Sequence, residues 1–475
     1  MNLAVIMTIC YLLIVIGISV YFGAKKKNSE EFMVAKRSFG VAIIIPLLFS
    51  ELIAGAATLG NAATAYKLGL SSAWIGWTMT VAVLTLMLVA GKFYRAISVE
   101  KGVMAVPETY AHMFDKRSRI VLLFILVISY IILLSNQPLA AGYMISGMTG
   151  WNLNVVIWSV AGICILATIL GGMRGIAWMN IVNASTLIIG MGIIAYMSVR
   201  HVGGIAQMQA ALPPSYFSIT QPSVAVTLAN IIGTALSYLC GAIAVAVIFS
   251  AKSMKDARIG FFICAIILLV FATFPALMGM SAKIVLPDID PNNALFAMAN
   301  YFGEVYGGII SMAVIAAIWS TAPALLLVTA TILTRDFYMM KNPNATDAQQ
   351  MWFLKSSIVG IGVVATFIGL NATSILDSIF GALQIRSSAG LVLAIAMFWP
   401  RVTKDAAFWS MLIGGITAAV WFFFKNPYGI SALWPAMVVT LLVLVPMTLH
   451  SKEAVSPGYK MYREALKSAE EKGTL

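Results

Sequence analysis

Charge is scarce in this chain. Only 10% of its 475 residues are Asp, Glu, Lys or Arg, against about 25% in a soluble domain. No polar stretch is long enough to fold as a separate soluble domain. Histidine is scarcer still: His112, His201 and His450 lie far apart at segment ends, which argues against a histidine-based metal centre. The four cysteines, Cys10, Cys164, Cys240 and Cys264, sit singly in apolar runs, with neither metal-ligand nor disulfide spacing. No Walker-type phosphate loop occurs, which removes ATP-driven pumping by this chain. The paired acid–base groups of a membrane enzyme are also missing, so no enzymatic activity is expected.

What remains is apolar. Hydrophobic residues make up 61% of the sequence, and the mean hydropathy is +0.93. Runs of about 20 apolar residues recur along the whole length, the pattern of an all-α polytopic membrane protein. An outer-membrane barrel would instead show alternating strands of about ten residues. The runs predict thirteen transmembrane helices, near 2–23, 39–67, 71–98, 118–148, 153–172, 178–199, 225–250, 259–281, 305–333, 355–373, 376–399, 406–424 and 430–449. The first run lacks a basic n-region and its charges follow it, in "AKKK". That predicts a retained anchor with the N-terminus outside.

Thirteen crossings would place the C-terminus in the cytoplasm. The distribution of basic residues supports this. Of 30 Lys and Arg, 25 fall in loops and tail expected inside, among them Lys25, Lys26, Lys27, Lys36, Arg37, Arg117, Arg119, Arg174 and Arg335. Only Lys67, Arg200, Lys283 and Lys425 are expected outside, and Arg386 lies within a helix. The net charge of +12 therefore reads as orientation in a lipid bilayer, here the plasma (cell inner) membrane, and not as affinity for nucleic acid. The expected organisation is an extra N-terminal helix and loop (1–38), two five-helix blocks (39–199 and 200–399), two further helices (400–449) and a charged tail (450–475). An odd-numbered block reverses the orientation of the next, so a duplication would give an inverted repeat.

Two stretches carry most of the chemistry. "LFSELIAGAATLG" (48–60) puts Glu51 and a string of small residues inside an apolar span. Gly55 and Gly60 either break this helix, freeing carbonyls for a cation, or only allow close packing. "AAIWSTAPALLLVTATILTRDFY" (316–338) puts Ser320 and Thr321 at mid-helix, followed by Pro323. Proline frees carbonyls one turn earlier, around Trp319. Hydroxyls plus freed carbonyls suit a hard monovalent cation; alternatively the hydroxyls bond back to carbonyls of their own helix.

The same stretch resembles the eighth core helix of the sodium:solute symporters, where a Ser-Ser or Ser-Thr pair precedes a basic-acidic cytoplasmic end. "ETYAHMFDKRSRI" (108–120), "GGMRGIAW" (171–178), "AKSMKDARIG" (251–260) and "MFWPRVTKDAAF" (397–408) are similar to other family segments, in the family's order. The resemblance spans roughly residues 1–450 and is somewhat stronger to the proline and pantothenate branch than to the sugar branch. It implies a leucine-transporter-type core of 5+5 inverted repeats and a co-transported sodium ion between the first and eighth core helices. The implied ligands are the carbonyls of Ser50, Ile53 and Ala317 and the hydroxyls of Ser320 and Thr321. Three positions depart from the family. Asn180 stands where an acidic residue is frequent, Arg386 where glycine is usual, and Glu51 is not a general feature.

A charge at mid-membrane costs about 2.5–3.5 kcal/mol even on a lenient scale. Glu51 and Arg386 therefore either lock to each other or face a solute. Gln384 and Arg386 are about 200° apart on a helix, so both reach one ligand only if that helix is broken. Asn136, Gln137 and Tyr238 are further polar candidates, otherwise helix-packing hydrogen bonders. The solute-facing candidates are thus Glu51, Gly55, Asn136, Gln137, Tyr238, Gln384 and Arg386. The expected function is sodium-coupled uptake of a small polar solute, with a carboxylate suggested by Arg386. Proton coupling through Glu51 and a transporter-like sensor are the alternatives.

Overall fold

A computed structural model describes residues 3–23, 39–103, 105–371 and 375–474, without the side chains of Ala56, Arg174 and Leu376. Lys25, Lys26, Lys27, Lys36 and Arg37 lie outside the described residues. The described chain is helical throughout; Phe39 and Ala251 form an isolated parallel bridge. Ten helices are long and apolar enough to cross a membrane, or eleven when one bent pair is counted as a span. Val41–Leu52 and Leu433–Leu449 are apolar but shorter. Of the thirteen expected segments, 39–67 and 225–250 are each divided between two helices.

The first helix, α1 (Leu3–Gly23), packs on α8 (Leu153–His201) and α15 (Glu304–Leu333). The second expected span is interrupted. Helix α2 (Val41–Leu52) ends at Ile53 (φ −101°, ψ 82°), Ala54 is extended, and α3 (Gly55–Leu68) restarts. Gly55 is needed here for closeness. A Cβ on it would stand 2.2 Å from the Ile318 side chain and 3.0 Å from the Ile318 nitrogen. The break therefore lies directly against the buried middle of α15, which runs unbroken through Pro323.

Next come α4 (Trp74–Thr85), α5 (Gly91–Lys101), the short α6 (Val106–Met113) and α7 (Lys116–Thr149). Asp115 caps α7, accepting from the Ser118 amide at 2.8 Å. Helix α8 bends at Gly172, whose φ of +57° is a left-handed value that favours glycine. After α9 (Ile205–Ala211), a second interruption follows. Helices α10 (Val224–Leu239) and α11 (Ala242–Ser250) meet at 46° across Cys240 and Gly241.

The remaining elements are α12 (Met254–Phe271), α13 (Thr273–Val285), α14 (Ala294–Tyr301), α16 (Asp347–Leu370), α17 (Ile375–Phe398), α18 (Lys404–Phe423), α19 (Leu433–Leu449) and α20 (Pro457–Glu471). Helix α20 occupies the expected charged tail. Ser456 caps it and Pro457 opens it. It docks on α5 and α6 through buried Ala465 and Ala469, a Tyr462–Phe93 ring contact and a Lys472–Glu100 bond of 2.7 Å.

Ends expected on the same side of the membrane pack together. Lys283 lies over the Tyr66 ring, and the Tyr216 hydroxyl donates to the Tyr66 carbonyl, joining the chain near Lys67 to that near Lys283. At the other end Arg117 binds Asp115 and Asp405, and Arg119 binds Asp336.

Helices α10 and α17 touch backbone to backbone. A Cβ on Gly390 would sit 1.8 Å from the Leu236 carbonyl oxygen, whereas one on Gly162 meets nothing within 4 Å. Gly390→Ala is expected to lower stability by about 1–3 kcal/mol, because overpacking against backbone cannot relax. Gly162→Ala is expected to be neutral or better. Thermal unfolding of both purified variants in detergent checks the contrast.

Candidate sodium and solute sites

The break in α2–α3 and the hydroxyl pair of α15 meet at one point. The Ser50 carbonyl accepts from the Ser320 hydroxyl at 2.8 Å and from the Thr321 hydroxyl at 3.1 Å. The Ala317 carbonyl accepts from the same two hydroxyls, at 2.8 and 3.1 Å. The hydroxyl oxygens lie 3.5 Å apart. Four of the five expected oxygens are thus one cluster, wholly buried between two helices that are 270 residues apart in sequence. Each hydroxyl has a single proton within reach of two carbonyls, that of Ala317 on its own helix, as in the back-bonding reading, and that of Ser50 on α2. Ile53 stands at the break itself, where its ψ of 82° turns its carbonyl out of helical direction.

A hydroxyl that donates to a carbonyl has lone pairs left to accept or coordinate. In this cluster every hydroxyl proton points at a carbonyl. A small monovalent cation entering it would find carbonyl and hydroxyl oxygens already gathered, with only hydroxyl rotation required.

Beside the cluster are buried amides. The Ser50 hydroxyl donates to the Asn180 carbonyl at 3.1 Å, while both side-chain atoms of Asn180 are buried without a hydrogen-bond partner. The Tyr11 hydroxyl donates to Asn183 Oδ1 at 2.6 Å, leaving Asn183 Nδ2 free.

The next residue along α2 is Glu51. It is half-buried, and its Oε2 is buried with no hydrogen-bond partner. Arg386, on α17, is 2% exposed. Its Nε donates to the Ser237 hydroxyl at 2.8 Å, and its guanidinium carbon lies 5.0 Å from the Tyr130 ring centre and 5.5 Å from that of Tyr238. No ion pair closes between Glu51 and Arg386; each keeps its own surroundings. The expected lock between them is not made in this conformation.

Gln384 and Arg386 do not converge through a broken helix. Helix α17 is continuous from Ile375 to Phe398. Both side chains instead reach α10, two turns apart: Gln384 Nε2 approaches Asn230 Oδ1 at 3.5 Å, and Arg386 takes Ser237. Long side chains on a straight helix can touch one neighbour at different heights, which spacing on a helical wheel does not show.

Asn136 and Gln137 donate to carbonyls one turn back on α7, those of Ile132 (2.8 Å) and Leu133 (3.5 Å). They do not bridge helices as packing residues would. Their Oδ1 and Oε1 stay buried and unpartnered. Tyr238 is 7% exposed, with its ring beside Arg386. Gly55 contributes closeness to α15. Ser237 and Tyr130 were not singled out by sequence. Ser237 sits three residues before Cys240–Gly241, and a hydroxyl one turn before a glycine inside an apolar span is the signal that marks it.

The geometry has relatives. A model of the sodium:solute symporter family matches residues 32–414. The chain is 23% identical to the high-affinity proline transporter PutP of Bacillus subtilis (strain 168), over 94% of this chain and 98% of that protein. It is 22% identical to the sodium/proline symporter of Escherichia coli (strain K12), over 92% and 91%. It is 23% identical to the sodium/glucose cotransporter of Vibrio parahaemolyticus, over 86% and 82%. Among solved structures, the substrate-bound outward-open state of a Na+-coupled sialic acid symporter superposes with a TM-score of 0.78 at 16% identity, covering 94% of this chain and 96% of that one. Mhp1, a nucleobase-cation-symport-1 family transporter in a closed conformation, gives 0.60 at 14% identity, covering 90% and 97%. The two interrupted spans and the matched fold are those of a leucine-transporter-type carrier, and the protein is an integral membrane transporter, not an enzyme. The chain belongs to the sodium:solute symporter family and imports a small solute with sodium by alternating access.

Proposed function

We propose that the solute is a small zwitterion of amino-acid type. The observation that carries this reading is the pair of opposite charges left unmatched at mid-membrane. Glu51 has a buried oxygen without a partner, and Arg386 has the Ser237 hydroxyl and two tyrosine rings beside it but no carboxylate in an ion pair. A buried charge without a counter-ion is costly. An ammonium and a carboxylate on one solute would satisfy both, the carboxylate in the two-bond fork that suits a guanidinium. The proline carriers among the relatives support the same class. Asn136, Gln137, Tyr238, Gln384 and Gly55 would line the same crevice between α3, α7, α10 and α17.

Sodium would be held by the carbonyls of Ser50, Ile53 and Ala317 and the hydroxyls of Ser320 and Thr321. Its binding would fix the α2–α3 break and with it the adjacent solute site, a coupling of two binding free energies. Helices α2–α3 and α10–α11 with their neighbours would then rock against the rest. One sodium crossing about 100 mV supplies about 2.3 kcal/mol, and a tenfold gradient about 1.4 kcal/mol. Together these support roughly 500-fold accumulation of a solute without net charge. The orientation we favour is N-terminus outside and C-terminus in the cytoplasm, in the plasma membrane, on the 25-to-4 distribution of basic residues. The repeats would be 39–199 and 200–399, followed by 400–449 and the tail.

A second reading rests on the same orphaned oxygen. Glu51 would carry a proton instead of facing an ammonium, and uptake would be proton-linked.

Three experiments in liposomes follow. Ser320→Ala combined with Thr321→Ala should raise the sodium concentration for half-activation about tenfold or more at unchanged expression, and potassium should not replace sodium. Unchanged sodium dependence would remove the site. In uptake of labelled L-proline, Arg386→Lys keeps the charge but loses the fork and should raise the half-saturation constant on the order of tenfold, and Arg386→Ala by more than about thirtyfold. Full-rate transport of an uncharged sugar by Arg386→Ala would sink the carboxylate assignment. Glu51→Gln separates the two readings of Glu51. A weakened solute affinity at every pH supports the ammonium site. Loss of pH-dependent uptake with solute exchange intact supports the proton carrier.

A further inference from the structure

The interruption between α10 and α11 leaves a carbonyl free on one side and an amide on the other. Two tyrosines take them. The Tyr94 hydroxyl, from α5, donates to the Leu239 carbonyl at 2.5 Å. The Tyr130 hydroxyl, from α7, accepts from the Ala242 amide at 2.7 Å. Residue 241 is glycine and has no side chain to cap α11 itself. Tyr130 has a second contact that Tyr94 lacks. Its ring lies against the Arg386 guanidinium at 5.0 Å. Its neighbour Ser129 donates to the Ala382 carbonyl at 2.7 Å, which fixes α7 to α17 one turn from Arg386. The ring and hydroxyl of one buried side chain thus touch Arg386 and the first turn of the interrupted helix.

We infer that Tyr130 is a positioning residue that transmits solute occupancy from Arg386 to the break at Cys240–Gly241. A carboxylate engaging the guanidinium moves it relative to the ring it rests on. A tilt of a rigid phenol shifts its hydroxyl, and the Ala242 amide follows or loses its cap. Ring and hydroxyl have separable duties: the ring holds the guanidinium, the hydroxyl holds α11. This rests on the reading of Arg386 as the carboxylate site.

The test uses the full chain in liposomes. Labelled L-proline uptake gives the kinetics, and maleimide labelling of Cys240, read by mass spectrometry, reports the break. Cys240 is buried at the break, and its labelling is read as the labelled fraction of its own peptide. Tyr130→Phe keeps the ring. It should leave the half-saturation constant within about twofold, lower the maximal rate about tenfold, and abolish the effect of proline on Cys240 labelling. Tyr130→Leu should also raise the half-saturation constant about tenfold. Tyr94→Phe loosens the same break without touching Arg386, so proline should still alter Cys240 labelling. A Tyr130→Phe protein with wild-type rate and a preserved proline effect overturns the inference. So does an identical phenotype for Tyr130→Phe and Tyr94→Phe, which marks a merely structural role. If Tyr130→Phe does not fold, Ser237→Ala releases the guanidinium from its other side and should weaken the proline effect on Cys240; an undiminished effect overturns the inference. If proline is neither taken up nor felt at Cys240 in the unmodified protein, the solute reading fails. Sodium-dependent Cys240 labelling then decides for Tyr130: its loss in Tyr130→Phe supports the link, its retention overturns it.

Discussion

A helix interrupted inside a bilayer must find partners for every backbone group it frees, since no water is there to take them. That constraint organises this molecule. At the α2–α3 break, the Ser50 carbonyl is taken by Ser320 and Thr321 and the Ile53 amide by the Phe49 carbonyl. At the α10–α11 break, Tyr94 and Tyr130 take one group each. Between α12 and α13, the Ala272 carbonyl is taken by the Asn61 amide at 2.9 Å. Apart from the Ile53 amide, which stays within α2, each partner is a side chain from a different helix. An interruption here is also a tether, and moving the interrupted helix means exchanging or stretching a hydrogen bond to a neighbour. The places where a cation or a solute competes for such bonds are the places where binding can drive motion.

The same logic separates two kinds of charge. At the end of the molecule where α7 begins, charges meet in ion pairs. Arg117 lies between Asp115 (2.8 Å) and Asp405 (2.5 Å), and Arg119 binds Asp336. In the middle, Glu51 and Arg386 do not close an ion pair. Arg386 is instead lodged by Ser237 and two rings, which orient its terminal nitrogens without neutralising it. The fold thus pairs its charges at that end and leaves these two without an ion pair in the middle, which is the basis of the proposed solute site.

Much of this was legible in the sequence, and the rest was hidden for identifiable reasons. The two stretches that meet in the oxygen cluster stood out because a hydroxyl pair, a proline and a small-residue string are rare inside apolar spans, whereas Ser50, Ile53 and Ala317 came from the family resemblance. An interruption was one of two readings of "LFSELIAGAATLG" itself; it falls at Ile53 and Ala54, and Gly60 lies inside α3. A break at Gln384–Arg386 was only the condition for one shared ligand, and α17 is continuous there: helical-wheel spacing fixes Cβ directions, but side chains this long bend round to reach α10. Ser237 and Tyr130 passed unnoticed because serine and tyrosine are ordinary in membrane helices, and their partners are 149 and 112 residues away. The docked helix α20 was read as a charged tail. Ser456 and Pro457 announced its start, but its buried face is two alanines, a glycine and a tyrosine contact, too small a stripe to outweigh its charges.

The arrangement also bears on why ion and solute should travel together. The proposed sodium ligand and the proposed ammonium ligand are consecutive residues, Ser50 through its carbonyl and Glu51 through its side chain. Along a helix they are about 1.5 Å apart in rise, so no pathway of intermediates is needed between the two sites. A cation that draws the Ser50 carbonyl away from the Ser320 and Thr321 hydroxyls turns the peptide joining Ser50 to Glu51 and re-aims the carboxylate. Conversely, a solute held between Glu51 and Arg386 pins that peptide and favours one placement of the Ser50 carbonyl. Coupling of this kind is reciprocal by thermodynamic necessity. It needs the break at Ile53 and Ala54, because a peptide locked in a continuous helix has no second orientation to adopt. The small residues after Glu51 therefore serve the coupling as much as the packing: without Gly55 against Ile318, the break would not lie against the helix that carries the hydroxyls.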